Sequence, residues 1–265
     1  MELQADAIVI KELCKEYKKG VKALDGLNLT IPKGKVFGFL GPNGAGKSTT
    51  INILSGLVKK DSGEVFIFGK GIGREDGGYK RDVGWVLEHQ LFFDKLTARE
   101  YLEFVAAMYD IGKKEAEQRI DELLEFLDLK DKEKDYIETY SAGMKKKISL
   151  AAAIIHHPRL LILDEPLEAI DPVSAKVIKD NMKLMAERGA TVFLSSHVLD
   201  TVEKLCDEVA IINKGKLVFQ CETAEIKNKL KDKFGKETYE TLEDVFIDVV
   251  SDRKNDIEKK KLSWL

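Results

Sequence analysis

Short apolar runs alternate with stretches of helical periodicity along this chain. Val36–Leu40 and the run Leu160-Leu161-Ile162-Leu163 are uninterrupted, which is typical of strands buried on both faces of a sheet. A third run, residues 190–194, follows a helix predicted to begin at Asp171-Pro172 and to end near Gly189. Strands that alternate with helices predict an α/β fold with a mostly parallel sheet covered on both faces.

Residues 90–155 are predicted to form a helical insert between two strand-bearing segments. The insert begins with the capping box Thr97-Ala98-Arg99-Glu100. Two sets of apolar residues then follow at helical spacing: Leu102, Val105, Ala106 and Tyr109, and Ile120, Leu123, Leu124 and Leu127. After the insert, Asn213-Lys214-Gly215 lies between two apolar runs and predicts a hairpin.

Composition and charge exclude several classes of function. The 265 residues allow one or two domains with a sizeable core. The 43 basic and 46 acidic residues give a net charge of -3, without the one-signed field of a dedicated nucleic-acid binder, so we expect no nucleic-acid partner. The longest uncharged stretches, such as residues 36–46, reach 11 residues, whereas a bilayer-spanning helix needs about 20. A membrane-spanning chain is therefore not expected.

The chain also shows no sequence signal for secretion or for a cysteine framework. Its first six residues have no basic region followed by an apolar run. Cys14, Cys206 and Cys221 are widely spaced and have neither a C-x-x-C pair nor a nearby histidine cluster. We therefore expect buried free thiols in a reducing cytoplasm rather than a zinc site or disulfides.

A glycine-rich loop directly follows the first buried run. Its sequence, Gly41-Pro42-Asn43-Gly44-Ala45-Gly46-Lys47-Ser48, fits the P-loop pattern, and it opens a predicted helix. Together with Thr49, these residues are the candidate nucleotide-binding loop. The glycines let backbone amides turn toward an anion, and the positive end of the helix adds to that field. The pattern predicts that Lys47 reaches the β- and γ-phosphates of a nucleotide and that Ser48 binds Mg²⁺.

Two carboxylates close the second buried strand. Asp164 and Glu165 stand directly after four apolar residues, where a P-loop ATPase has an aspartate for the metal and often a glutamate for the attacking water. Each alone would fit an ordinary helix entry, but the pair in a chain with a P-loop predicts a metal ligand at Asp164 and a general base at Glu165.

Further motifs give the chain a resemblance to the ABC ATPases. Tyr140-Ser141-Ala142-Gly143-Met144 resembles the L-S-G-G-Q signature and ends 20 positions before Asp164. Ser195-Ser196-His197 is similar to the family's switch histidine, and Glu168-Ala169-Ile170-Asp171 to its D-loop. Tyr17, 24 residues before the P-loop, stands where the family stacks an aromatic ring on adenine. The resemblance covers about residues 7–235.

The resemblance implies a RecA-like P-loop NTPase core with an N-terminal antiparallel β segment and an inserted helical subdomain. It divides residues 1–235 into a core of about 1–89 and 156–235 and a subdomain of about 90–155, with a C-terminal extension over 236–265. It implies ATP and Mg²⁺ as ligands, a catalytic role for Glu165, His197 and Asp171, and a dimer in which Ser141 and Gly143 act on the nucleotide of the partner chain.

The sequence departs from the family pattern at several positions. Glu88 stands where the family has the Q-loop glutamine, and Gln90 follows two positions later. We prefer Glu88 as the Q-loop residue, because a carboxylate there can hold Mg²⁺ directly or through water. Tyr140, Ala142 and Met144 replace leucine, glycine and glutamine of the signature, and Ala169-Ile170 replaces glycine-leucine. None of these changes removes a charge or a metal ligand, but the equivalence of two ATP sites in a dimer stays open.

The resemblance implies a cytoplasmic ATPase subunit of an ABC transporter, held at the inner face of the cell membrane by separate permease subunits. Its second ATPase subunit would be an identical chain or a paralogue. The signature and the segment from Glu240 to Phe246 are similar to type-2 exporter ATPases, which favours export without naming the substrate. The alternative is a soluble ABC ATPase of iron-sulfur cluster assembly. ATPases of the ribosome or of DNA repair are disfavoured, because one P-loop and no long coiled-coil insertion are present.

Overall fold

The computed structural model describes residues 6–18, 20–72, 78–88, 91–93, 95–226 and 246. Its strands are β1 Asp6–Lys18, β2 Val21–Pro32, β3 Val36–Leu40, β4 Ser62–Ile67, β5 Lys70–Gly71, β6 Val83–Val86, β7 Leu160–Asp164, β8 Thr191–Ser196, β9 Glu208–Asn213 and β10 Lys216–Glu222. The α-helices are α1 Lys47–Ser55, α2 Ala98–Met108, α3 Lys113–Phe126, α4 Ala142–Ile154, α5 Pro172–Glu187 and α6 Leu199–Leu205. Short 3₁₀ turns cover Lys80–Asp82, Lys130–Lys132, Ile137–Thr139 and Thr223–Glu225.

The described strands form two sheets. The larger has the order β10-β9-β3-β8-β7-β6, in which only the β9–β10 hairpin is antiparallel. The smaller, β2-β1-β4-β5, is antiparallel and comes from the N-terminal part of the chain. The predicted P-loop NTPase fold, with its mostly parallel sheet and its N-terminal antiparallel segment, is confirmed.

The core is divided between the two faces of the larger sheet. Along β3, Val36 and Leu40 join the cluster that also contains residues of α2 to α6, whereas Phe37 and Phe39 join the cluster shared with α1 and the smaller sheet. Successive side chains of a strand point to opposite faces. The run over residues 36–40 is therefore apolar throughout because both of its faces are buried.

The predicted helix caps are present. The hydroxyl of Thr97 accepts from the Glu100 amide at 3.2 Å, while the Glu100 carboxylate accepts from the Thr97 amide at 2.8 Å. Asp171 accepts from the amide of Ser174 at 2.9 Å and caps α5, which has Pro172 in its first turn. The helical character predicted for residues 90–155 is borne out by α2, α3 and α4.

The hairpin prediction is also confirmed, with Lys214 and Gly215 both at positive φ between β9 and β10. The prediction of buried thiols is only partly correct. Cys206 and Cys221 are buried, and neither forms a disulfide in the described part of the chain. Cys14 is half-buried: it lies where the β1–β2 pairing is bulged, and its sulfur accepts from the amide of Gly26 within β2.

Helix α4 packs against β6 backbone to backbone. A Cβ atom at Gly84 would overlap the carbonyl oxygen of Ala153, so only glycine permits this approach. Gly84 lies in β6, four residues before Glu88, and Ala153 lies one residue before the end of α4. The helix that carries the signature-like motif is thus joined closely to the sheet.

Candidate functional site

The predicted site residues meet at one edge of the larger sheet. Strands β3, β8, β7 and β6 are parallel neighbours, so their carboxyl ends lie on the same side. The P-loop follows β3, Asp164 ends β7, His197 follows β8, and Glu88 comes two residues after β6. Ligands of open α/β sheets bind at this edge. The topology therefore brings together four segments that are far apart in the sequence.

The glycines of the P-loop answer two structural needs. A Cβ at Gly41 would lie 2.5 Å from the Ile212 carbonyl oxygen, and a Cβ at Gly46 would lie 2.7 Å from that of Ala23. Gly44 and Gly46 have φ values of 79° and 113°, in the region that disfavours side chains. Gly46 caps α1 without a side-chain hydrogen bond. The first amides of α1 thus remain available for an anion.

Lys47 is buried within its own loop. Its Nζ donates to the carbonyl oxygen of Gly41 at 2.7 Å and lies 3.4 Å from that of Pro42. The loop is held in shape by hydrogen bonds from Ala45 N–H to Pro42 O and from Gly215 N–H to Ala45 O. The ammonium group is therefore held at the start of the loop; its contact with phosphates stays a prediction.

Tyr17 lies beside the P-loop helix. Its hydroxyl is 3.5 Å from the hydroxyl of Thr49, and about half of the residue is exposed. The ammonium of Lys15 is 5.6 Å from the centre of its ring. An exposed ring bordering the start of α1 is available for stacking on a flat ligand.

A buried serine connects the two predicted catalytic carboxylates. The hydroxyl of Ser195 donates to Asp164 Oδ1 and accepts from the backbone N–H of Glu165 at 3.0 Å. Ser195 stands opposite Asp164 in the β7–β8 pairing and is completely buried. This single hydroxyl fixes the direction of the Asp164 carboxylate and the backbone of Glu165.

Glu165 and His197 are in direct contact. His197 Nδ1 lies 3.0 Å from Glu165 Oε2, with the carboxylate mostly buried and the imidazole half-exposed. Glu165 has a φ of 46°, an uncommon conformation for a residue with a side chain. Such strained backbone persists only where the surroundings enforce it, and here Ser195 and His197 hold both ends of the residue.

The predicted metal ligands have suitable chemistry. Ser48 supplies a hydroxyl at the start of α1, while Asp164 and Glu88 supply carboxylates at the ends of neighbouring strands. Hard oxygen donors of this kind are those that Mg²⁺ prefers. Glu88 is exposed at the sheet edge; Gln90, the alternative Q-loop residue, lies outside the described residues. The donor set thus fits the predicted Mg²⁺.

Ser141 and Gly143 form the beginning of α4. The Ser141 hydroxyl caps the helix by accepting from the Met144 amide at 3.2 Å, and Ser141 is exposed. A Cβ at Gly143 would overlap the carbonyl oxygen of Ala169, in the loop after β7. The signature-like segment therefore contacts the D-loop-like segment of its own chain, and its exposed helix end is available to an anion from another molecule.

The D-loop-like segment is held at both ends. Asp171 caps α5 and forms an ion pair with Lys147 of α4, with 3.3 Å between Asp171 Oδ2 and Lys147 Nζ. The hydrogen bonds to Ser174 and the nearby Lys147 ammonium lower the pKa of Asp171. Ala169 has a φ of 62°, which turns its carbonyl toward Gly143. Asp171 thus links α4 and α5, through its ion pair with α4 and its cap of α5.

Two contributions to the site do not follow from the sequence motifs. Ser195 belongs to them only as part of the lead-in to His197, and the run Lys145-Lys146-Lys147 belongs to none of them. Both Lys146 and Lys147 are buried. The signal was present, because Leu150 and Ala151 stand four residues later and share a helix face with these lysines.

Comparisons with known proteins agree with this geometry. Residues 24–168 match a family model described as ABC transporter. The chain is 45% identical over 193 residues to the linearmycin resistance ATP-binding protein LnrL of Bacillus subtilis, covering 73% of this chain and 62% of LnrL. It is 42% identical over 198 residues to the bacitracin transport ATP-binding protein BcrA of Bacillus licheniformis, covering 74% and 64%. The chain thus spans less than two thirds of the length of these relatives.

A further relative and two solved structures extend the comparison. The daunorubicin/doxorubicin resistance ATP-binding protein DrrA of Streptomyces peucetius is 35% identical over 224 residues, covering 84% of this chain and 68% of DrrA. The structure of an ATP-binding subunit of an ABC transporter has a TM-score of 0.83 at 27% identity, covering 92% of this chain and 99% of its own. A dimeric, post-hydrolysis ATP-binding cassette bound to ADP and Pi has a TM-score of 0.75 at 26% identity, covering 82% and 98%. Among the described residues, no helix combines the length and apolar character that crossing a bilayer requires.

Proposed function

The chain belongs to the ABC transporter family, and from that premise we propose that it is the subunit that binds and hydrolyses ATP to drive transport through separate membrane subunits. One observation carries the proposal: Glu165 and His197 are in contact at the sheet edge where the P-loop and Asp164 also lie. A phosphate-binding loop, a metal ligand and a candidate base at one edge are the groups that hydrolysis of a nucleoside triphosphate needs.

The P-loop would bind the phosphates of ATP. Lys47 donates to two carbonyl oxygens of the loop, and its ammonium would contact the β- and γ-phosphates when ATP binds. The amides at the start of α1 add to the positive field, and Tyr17 would stack on adenine. Mg²⁺, when bound, supplies positive charge against the phosphate oxygens. Ser48, Asp164 and Glu88 would hold it.

Glu165 would orient the attacking water and accept its proton. Its contact with His197 fixes the direction of the carboxylate. The second imidazole nitrogen would contact a γ-phosphate oxygen as an N–H donor, which requires protons on both ring nitrogens. Ser195 would keep Asp164 and Glu165 in their relative positions. Positioning of this kind is the main contribution of a protein to phosphoryl transfer, because the reaction itself needs few covalent steps from the protein.

Two chains would close around ATP. Ser141 is exposed at the beginning of α4, and Gly143 follows it by two residues in the signature-like motif. The similar cassette bound to ADP and Pi is dimeric. We propose that this helix end contacts the γ-phosphate held by a partner chain, identical or paralogous, and that Asp171 holds the adjoining loop in place.

An apolar surface of the helical insert would dock the permease subunits. It consists of Phe93, Phe104 and Met108, all of them exposed, with Phe104 and Met108 four residues apart on α2. The rings of Phe93 and Phe104 meet edge to face, with 5.3 Å between their centres. Exposed apolar residues that cluster in this way commonly mark an interaction surface. Binding through this surface would hold the chain at the inner face of the cell membrane.

The names of these relatives favour export. LnrL and DrrA are named for resistance and BcrA for bacitracin transport. We therefore propose an exporter ATPase. The alternative, a soluble ATPase of iron-sulfur cluster assembly, draws no support from these relatives and is not retained.

Affinity isolation from detergent-solubilised membranes tests the proposal. The wild-type chain should co-purify with polytopic membrane subunits and hydrolyse ATP. Phe104→Glu should lose these subunits but keep ATP binding, because the exposed ring lies on the insert and away from the P-loop. Leu57→Glu is the matched control, since Leu57 is also exposed but follows α1. Co-purification with soluble scaffold proteins alone would contradict the transporter role.

A further inference from the structure

Helix α4 inserts a buried ammonium group next to the candidate catalytic carboxylates. Lys146 is 8% exposed, and its Nζ donates to the backbone carbonyl oxygen of Asp164 at 3.4 Å. Lys147, its neighbour, is ion-paired with Asp171. Lys146 makes no such ion pair among the residues that the structure describes. Its positive charge is thus buried with a backbone carbonyl oxygen as hydrogen-bond acceptor, and no carboxylate of the described residues forms an ion pair with it.

Four carboxylates act on this charge. Burial lowers the pKa of Lys146, whereas Glu168, Asp164, Glu165 and Glu88 oppose that effect through their negative charges. They come from the ends of β6 and β7 and from the loop that follows β7. A buried charge is costly unless other charges or hydrogen bonds compensate it. The lysine and the carboxylates therefore compensate one another.

The position of Lys146 follows from the geometry of α4. Ser141 caps the helix, Gly143 packs on Ala169, and Gly84 packs on Ala153 near the other end. These contacts fix both the depth and the rotation of the helix. Lys146, between them, is directed toward the end of β7.

We propose that Lys146 is a positioning residue that supplies a resident positive charge to the candidate metal site, holding the carboxyl end of β7 in place and keeping the affinity of the nucleotide-free site for divalent cations low. This inference rests on the metal role proposed for Asp164. A positive charge near a cation site weakens cation binding by Coulomb repulsion, and the effect is larger in the protein than in water. The phosphates of ATP bring negative charge that overcomes this repulsion, so the metal would enter together with the nucleotide.

Binding of Mn²⁺ alone to the nucleotide-free, full-length chain, followed by electron paramagnetic resonance, tests the inference. Lys146→Met removes the charge and keeps an unbranched side chain, and it should tighten Mn²⁺ binding by about fivefold or more. Lys145→Met is the matched control: it makes the same change one residue earlier, where the side chain has no ion pair or hydrogen bond among the described residues. It should leave the Mn²⁺ affinity within about twofold of wild type.

Further variants separate charge from packing. Lys146→Gln should behave as Lys146→Met, and it serves if the methionine variant does not fold by circular dichroism. Lys146→Arg keeps the charge and should keep the wild-type affinity. Unchanged Mn²⁺ affinity in the neutral variants, or tighter binding in Lys146→Arg as well, would overturn the proposal.

The metal role of Asp164 is tested separately. Asp164→Asn should weaken Mn²⁺ binding both in wild type and in the Lys146→Met background. If Asp164→Asn has no effect, the proposed metal site is wrong. If it weakens binding while Lys146→Met changes nothing, only the inference about Lys146 fails.

Discussion

Gly143 and Ala169 touch through their backbones, with no room for a side chain at position 143. The contact joins the signature-like segment to the D-loop-like segment within one chain. Any substitution at Gly143 would therefore disturb its own chain before it reached a nucleotide on a partner. The proposed contact in trans has to be tested at Ser141, whose hydroxyl caps α4 at an exposed helix end.

We expect Ser141→Asp to prevent ATP-dependent dimerisation without destabilising α4. Aspartate caps helices as well as serine does, but its charge would repel the γ-phosphate of a partner chain. The measurement is light scattering after size exclusion, in a Glu165→Gln background with Mg-ATP. Ser141→Asn, a neutral cap, is the control and should still dimerise. Equal dimerisation of both variants would refute the contact in trans.

Lys47→Met should weaken ATP binding by about 10- to 100-fold, because it removes one charge-assisted interaction with the phosphates. Hydrolysis should be lost. Equilibrium binding of a fluorescent ATP analogue provides the measurement, and Lys145→Met serves as a control for the change in net charge. An affinity equal to wild type in Lys47→Met would mean that the P-loop assignment is wrong.

Glu165→Gln should lower the rate of ATP hydrolysis by about 10²- to 10⁴-fold, because the amide cannot accept the proton of the attacking water. ATP affinity should change little, since the side chain keeps its size and the P-loop is untouched. The rate is measured in the assembled transporter and on the isolated chain. Hydrolysis near the wild-type rate would remove Glu165 from the catalytic site.

His197→Ala should slow hydrolysis while ATP binding remains largely intact, because His197 directs the Glu165 carboxylate through their 3.0 Å contact. If the two residues act as a unit, their effects on the rate are not additive. The double variant with Glu165→Gln should therefore be scarcely slower than Glu165→Gln alone. Multiplicative losses in the double variant would show that His197 acts independently of Glu165.

The stability of the protein should fall as the pH decreases from about 6.5 to about 4, in part because of His156. Burial lowers its pKa to about 4, with a weaker opposing effect of the hydrogen bond from Nε2 to the Val83 carbonyl oxygen. Its Nδ1 is buried and finds no partner in the described part of the chain, and its ring stacks on Tyr109 at 3.7 Å.

The sign follows from proton binding. The unfolded chain protonates this imidazole near pH 6.5, whereas the folded chain does so only near pH 4, so the stabilising effect is complete above 6.5 and is lost on acidification. His156→Phe should reduce the pH dependence of the free energy of unfolding, measured in urea at pH 7 and pH 5. His157→Asn, at the exposed neighbouring position, should leave that dependence unchanged. An equal effect of the two substitutions would contradict the role of His156.

Features that depend on neighbours in the sequence could be predicted from the sequence. The capping box at Thr97 and Glu100, the cap at Asp171 and the hairpin turn at Lys214 and Gly215 each rest on contacts within a few residues. The grouping of the P-loop, Asp164 and His197 was also predictable, because parallel strands place their carboxyl ends at one edge.

Features that depend on tertiary contacts could not be predicted in this way. Three consecutive lysines after the signature-like motif usually indicate a solvated helix face. Leu150 and Ala151 indicate that Lys146 and Lys147 border a packed face, but the depth of their burial follows from the close contact between Gly84 and Ala153. The bridging role of Ser195 requires the register of β7 and β8, in which it stands opposite Asp164. The positive φ of Glu165 follows from its neighbours rather than from its own residue type.

The backbone contact between Gly84 and Ala153 also affects which helices of the insert can move relative to the sheet. Helix α4 contacts β6 through Ala153, the end of β7 through Lys146, and the segment from Ala169 to Asp171 through Gly143 and Lys147, so we expect it to move together with the sheet. Neither α2 nor α3 contains a glycine that would bring its backbone against the sheet in this way. If the proposed permease subunits dock on α2, a displacement of α2 and α3 would reach the loop after β7 through α4.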